Sequence, residues 1–165
     1  MKRLLAAIAV LALVYFAGRA IVRALASEET KIRWALEEMR DGFNDAEPAP
    51  VIDHLHPLFR EEQSGADLDM AEQALIAVCI GEIDSTTKTF ALRAEADFDA
   101  WAVELGADDA TATAKGDVGL FRSRAGVEKL EWRAKVELEL VDDEHEGWLV
   151  QRAAFETLEG DRRLR

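Results

Sequence analysis

The chain predicts an α+β fold in which three N-terminal helices pack on a curved antiparallel sheet, a cone, preceded by one transmembrane helix. Three observations carry that expectation. An uncharged apolar run lies near the N-terminus, residues up to about position 80 repeat at helical spacing, and from about position 90 apolar and polar residues alternate. The expected organisation is a membrane anchor or signal segment over 1–26, one domain over 27–160 and a short tail over 161–165.

Leu4 to Gly18 contains no charged residue and follows Lys2 and Arg3. As a helix this run extends about 22 Å at 1.5 Å per residue, short of a bilayer core of about 30 Å. Continuing to Val22 closes most of the gap if the long Arg19 side chain reaches back to the interface. Ala24-Leu25-Ala26 before Ser27 also fits a signal-peptidase pattern, but Arg19 and Arg23 put charges where a cleaved signal carries small neutral residues. The expectation is an uncleaved single-pass anchor in the inner (cytoplasmic) membrane, with the lipid bilayer as partner of residues 4–22. Lys2, Arg3 and the free amine favour a cytoplasmic N-terminus, which places the domain outside the cytoplasm.

The 165 residues are 49% hydrophobic and 32% charged, enough for one domain with a proper core. Net charge is -13, and since residues 1–26 hold four cations and no acid, the remainder carries -17. Such a surface repels phosphate backbones, so nucleic acid is not an expected partner. The single cysteine, Cys79, excludes an intramolecular disulfide and a thiolate zinc cluster, and its apolar neighbours read as a buried setting.

Ser27-Glu-Glu-Thr opens a helix, with a serine cap and acids where the helix dipole favours them. Ile32, Leu36, Met39 and Phe43 form its apolar stripe, and Gly42 with Asn44-Asp45 closes it. Pro48 and Pro50 precede a second, short helix expected to carry Ile52, Leu55, Leu58 and Phe59. A third helix is expected over Met70 to Ile80, so apolar in its second half that burial on most sides follows.

Phe90 to Phe98 alternates as a strand with one wet face, and a phase slip between Asp99 and Leu105 suggests a bulge. Thr111 to Phe121 is another strand. Leu130 to Leu140 is the clearest, with Leu130, Trp132, Ala134, Val136, Leu138 and Leu140 on one side and Glu131, Arg133, Lys135, Glu137 and Glu139 on the other. Asp142-Asp-Glu-His-Glu-Gly147 is a hairpin loop, and Trp148 to Glu156 returns as the last strand.

This order of elements, with Phe43-Asn-Asp-Ala-Glu-Pro leading to His54-Leu-His-Pro-Leu-Phe59 and a final Gly147-Trp-Leu-Val-Gln-Arg-Ala-Ala-Phe155, resembles the nuclear transport factor 2-like superfamily. The resemblance covers about Glu28 to Glu159. It implies a cone-shaped domain that also serves ketosteroid-isomerase-like and polyketide-cyclase-like enzymes, and hosts binding and assembly modules besides. The layout of an anchor plus a cone further resembles single-pass assembly components of bacterial secretion systems, from which this chain departs by having only three residues before its apolar run.

Isomerases of this kind set an aspartate base against a tyrosine or a protonated acid. The only tyrosine is Tyr15, inside the apolar run, and Ser64, Ser85 and Ser123 lie in polar turns outside any G-x-S-x-G elbow. No phosphate loop, dinucleotide fingerprint or H-E-x-x-H occurs. His54 and His56 flank Leu55: in a helix they point about 200° apart and cannot share a metal, whereas in an extended segment they could. Pro57 places His56 at a helix end and no cysteine is there to complete a site, so the expectation is no metal and no cofactor. His145 sits among acids in a loop without the spacing of an EF-hand.

The expected function is a membrane-tethered, non-enzymatic cone that binds a protein partner, a second copy of itself or a small apolar ligand, with Phe43, Phe59 and Trp132 as ligand-binding candidates. The alternative is a small isomerase or hydratase using His56 with Asp53. Trp34, off the Ile32-Phe43 stripe, is expected to be partly exposed.

Overall fold

A computed structural model describes residues 25–85, 87–124 and 126–160. The expected membrane helix over 4–22 and the tail over 161–165 lie outside the described residues. Among the described residues, no helix is long and apolar enough to cross a membrane.

Helix α1 (Glu28–Asn44) starts as expected, since the Ser27 hydroxyl accepts from the Thr30 amide at 3.3 Å. It lays Ile32, Ala35 and Leu36 into the core. Helix α2 (Pro48–Ile52) is a single turn begun by Pro48. Leu55, Leu58 and Phe59 do not continue it: residues Leu55–Glu61 form strand β1. Pro57 disfavours helical backbone at His56 and has no amide to donate, so the chain leaves the helix for an extended path.

Helix α3 (Leu68–Gly81) is capped by the Asp67 carboxylate, which accepts from Met70 N at 3.1 Å. Strands β2 (Leu92–Glu95) and β3 (Ala102–Leu105) are separated by a 3-10 turn, Phe98–Ala100, and both pair with β4 (Thr111–Arg124). The phase slip is therefore a break between two short strands rather than a bulge. Strands β5 (Val127–Asp143) and β6 (Gly147–Gly160) complete the sheet, in the order β1-β6-β5-β4-β2.

The sheet is mixed, because β1 runs parallel to β6, with Leu55 opposite Val150. Strand β1 lies at the sheet edge and runs alongside β6 in the same direction, which alternation within a strand does not reveal. Register shifts at Leu120/Phe121, Arg133/Ala134 and Glu139/Leu140 mark bulges that bend β4, β5 and β6. The concave face holds Ala112, Ala114, Val136, Leu138 and Leu140, which share one buried core cluster with Ile32 and Leu36 of α1. On the convex face, Lys115 pairs with its register partner Glu137 at 2.8 Å, and Arg152 with Glu62 at 2.8 Å. This is the solvated charge lattice that the alternation from Glu131 to Glu139 implied.

Candidate functional site

The concave cavity begins at the 3-10 turn, which aims Trp101 inward. Gly116 on β4 makes room for it: a Cβ at that position would overlap the Trp101 indole. Phe98 meets the indole edge-on with centroids 5.1 Å apart, and Trp101 is only 4% exposed. Its Nε1 is buried without a hydrogen-bond partner, at a cost of about 1–3 kcal/mol that only a tightly packed surround offsets. Here the interior of the cone is filled by side chains.

Three polar residues of α1 hold this plug in place. Arg33 donates to the carbonyls of Asp99 (2.9 Å) and Trp101 (3.3 Å). Arg40 lies 5.4 Å from the Phe98 ring centroid and donates to Ala96 O at 3.4 Å. The Asn44 amide brackets Ala94, donating to its carbonyl (3.0 Å) and accepting from its amide (2.7 Å). Sequence reasoning missed these contacts, because Arg33 and Arg40 sit on the wet side of an amphipathic pattern and Asn44 is also a common helix-ending residue. Beside the plug lies an open groove of about 890 Å³ lined by Arg40, Asn44, Ala94, Asp97, Trp101 and Arg133, among others. Its guanidinium groups are mostly engaged: Arg40 pairs with Asp41, and Arg93 with Glu95 and Glu128, which pushes the Arg93 pKa up and holds the Glu128 carboxyl down.

Two further aromatic pairs form elsewhere: Phe43 meets Phe90 edge-on at 5.4 Å and Trp132 tilts against Phe155 at 5.8 Å. Trp132 Nε1 donates to Thr157 Oγ1 at 3.0 Å. Trp132 is half-buried, whereas Trp148 is 3% exposed. Trp34, as its position off the stripe implied, is half-buried. Of the three ligand-binding candidates, Phe59 belongs to the packed core, while Phe43 and Trp132 are half-buried outside it.

Two charged residues are buried. Arg122 is held by Glu82, with Glu131 3.7 Å from its Nε, where the end of α3 meets β4 and β5. Glu61 accepts from the amides of Gln63 (3.0 Å) and Ser64 (2.7 Å), organising the loop before α3. Both have structural partners.

His54 and His56 point to different neighbours. His54 Nε2 lies 3.5 Å from Glu38 on α1 and its Nδ1 is buried without a partner, while His56 Nδ1 accepts from Leu58 N at 3.0 Å. Asp53 caps α2 and is exposed, and no hydrogen bond or ion pair joins it to His56. The parallel pairing of β1 with β6 carries His56 toward the β5-β6 hairpin, which is remote only in sequence. There the Asp143 carboxyl is held below its ordinary range first by the amides of His145 and Glu146, then by the nearby His145 and His56. Among the described residues, no group of three or more His, Cys, Asp or Glu side chains is placed to hold a metal ion.

Helix α3 overturns the expectation of burial. Only Cys79 is buried, and burial pushes its thiol pKa up, which makes it inert. Met70 is 55% and Ile80 71% exposed, and Ile76 and Ile83 also face outward. Met70, Gln73, Ala77 and Ile80 recur at spacings of three, four and three, one continuous outer stripe. Its inner face, Ala71, Leu75, Val78 and Cys79, is wholly apolar, while the outer one is largely apolar and interrupted by Gln73, so the helix carries hydrophobic side chains on a side that the domain does not cover.

No known family's sequence profile matches the chain, and no curated protein does. Solved structures do. A nuclear transport factor 2-like protein with a cystatin-like fold from Novosphingobium aromaticivorans aligns over 91% of this chain and 92% of its own, with a TM-score of 0.63 and 15% identity. A nuclear transport factor 2-like superfamily protein from Salmonella enterica covers 83% and 94% (TM-score 0.60, 12% identity). A putative scytalone dehydratase, also from N. aromaticivorans, covers 81% and 87% (TM-score 0.62, 11% identity). At these identities the likeness concerns the fold, and the described domain therefore has the cone fold of nuclear transport factor 2-like proteins.

Proposed function

We propose that this chain is a non-enzymatic binding module whose binding surface is the outer face of α3 and whose occupant is an apolar helix. One observation carries the reading: an apolar helix face is left open beside a cone that is already filled. Ile32, Ala114 and Ala134 are fully inaccessible, Trp101 is 4% exposed inside the cone, and the two buried charged residues, Glu61 and Arg122, are engaged by structural partners. Acid-base chemistry needs a titratable group facing an enclosed cavity. An isomerase built on His56 and Asp53 lacks that support, since the two are not joined and Asp53 faces solvent. Contiguous exposed apolar surface marks interaction sites in soluble domains, and a helix laid in such a surface is a recurrent recognition mode.

The test is a photo-reactive amino acid placed at Ile80, with the same group at Lys135 on the convex face as control. Cross-linking to polypeptide from Ile80 alone supports the reading. A small molecule retained stoichiometrically by the purified full chain, with no cross-link from Ile80, would sink it.

A further inference from the structure

We propose that the break between β2 and β3 is a second binding site, separate from α3, and that its ligand is a short zwitterionic peptide, a tripeptide with free termini. The break leaves part of the β4 edge open. Strand β2 pairs with β4 only as far as Glu95 opposite Gly119, and β3 only from Ala102 opposite Lys115, so neither pairs with Gly116, Asp117 or Val118. Residues 96–101 turn toward α1 instead. The carbonyls of Ala96, Asp99 and Trp101 accept from Arg40 and Arg33, and the amides of Ala100 and Trp101 donate within the 3-10 turn.

The two ends of β4 show which backbone groups face the gap. Thr111 O accepts from Gly106 N, just past β3, and Ser123 N donates to Ala91 O, just before β2, while on the other side Ala110 O accepts from Asp142 N. Backbone groups alternate sides along a strand, so Asp117 directs both its N–H and its C=O into the gap. No backbone group of residues 96–101 bonds to either. One residue of an antiparallel partner exchanges two hydrogen bonds with such a pair, and the middle residue of a tripeptide carries both groups. Length limits the occupant. From Lys115 to Gly119 the strand advances about 14 Å at 3.4 Å per residue, which admits the roughly 10 Å of three extended residues and stops a longer strand against β2 and β3.

Charge selects the free termini. The groove described above contains Arg133, Asp97 and Asp117, all exposed and, among the described residues, with no ion pair or side-chain hydrogen bond, whereas Arg40 and Arg93 are held by Asp41, Glu95 and Glu128. Unengaged charges of both signs suit a carboxylate and an ammonium on one ligand. The inner wall adds a donor. Trp132 and Trp148 both donate through Nε1, but Trp101 Nε1 is buried without an acceptor, and a peptide carbonyl would satisfy it after a tilt of the indole.

The test titrates the isotope-labelled full chain with trialanine and follows the Asp117 amide and Trp101 indole signals by NMR. Expected are saturable shifts at both, with a Kd of about 1 mM or below, and roughly tenfold weaker binding of the acetylated, amidated peptide and of trialanine to Arg133→Gln. Arg133 is exposed and unpaired, so signals elsewhere in that variant should match the parent's. An analogue with lactic acid as its middle residue lacks the N–H that meets Asp117 O, and it too should bind more weakly. Ile80→Glu, which disables the outer face of α3, should leave every shift unchanged, so the two proposals stand or fall separately. No shift at Asp117 with trialanine at about 10 mM would overturn the inference, as would equal affinity for free and capped peptides or shifts confined to residues outside the groove.

Discussion

Trp148 Nε1 donates to Glu28 Oε2 at 2.9 Å, joining the first turn of α1 to the start of β6 across 120 residues of sequence. The same carboxylate accepts from Lys31 Nζ at 2.7 Å. The Lys31 and then the Trp148 hydrogen bond hold the Glu28 carboxyl below the ordinary carboxylate range. A depressed folded-state pKa contributes stability that is fully present above the unfolded value, near 4.5, and is lost as pH falls through the folded one. Glu28→Gln, which keeps an acceptor for the indole, is therefore expected to cost about 1 kcal/mol at neutral pH. Denaturant titrations at decreasing pH should show parent and variant converging below pH 4.5. A difference that persists unchanged into acid would mean that charge plays no part in the contact.

Gly116 and Trp101 act as one unit. A Cβ at 116 must displace the indole, so Gly116→Ala is expected to lower stability by about 1–3 kcal/mol. In a Trp101→Ala background the obstacle is gone, and the same substitution should become nearly neutral. Equal costs in the two backgrounds would show that Gly116 serves backbone geometry instead.

The buried Arg122 supplies a charge test. Arg122→Met leaves Glu82 and Glu131 without their cation, with an expected loss of about 3–5 kcal/mol. Arg122→Met with Glu82→Met should recover most of it, since an apolar pair needs no partner. Thermal unfolding of the three proteins is enough to decide.

The two strand tryptophans should separate. Trp148 is in the packed core and its replacement by Ala is expected to cost about 3–5 kcal/mol. Trp132, half-buried and held by Thr157, should cost about half as much. Matching losses would place Trp132 in the core after all.

Much of this architecture is visible in local pattern. The Ser27 cap, the Ile32-Phe43 stripe and the alternation of β5 each depend on neighbours within a few residues, and each appears where those neighbours put it. What escaped depends on distant partners. The parallel seat of β1 on β6 pairs residues about 95 apart, so a Pro-interrupted segment with helical spacing at Ile52 and Leu55 reads as helix until its neighbour is known. Helix α3 misled for a related reason: apolar composition states that surface wants to be covered, not by what. The candidate site was least legible, because Trp101 and Gly116 become a plug only when a 3-10 turn brings them face to face.

Synthesis on the ribosome gives the β1-β6 pairing a further meaning. Strand β1 emerges early, yet its neighbour in the sheet, β6, is made at the far end of the domain. At about 5–20 residues per second, β1 and the helices on either side wait several seconds with their apolar faces unmatched. Nascent chains halted before Gly147 should be protease-sensitive at Leu55–Glu61 and should recruit chaperones there, and protection should arrive abruptly once the last strand clears the tunnel.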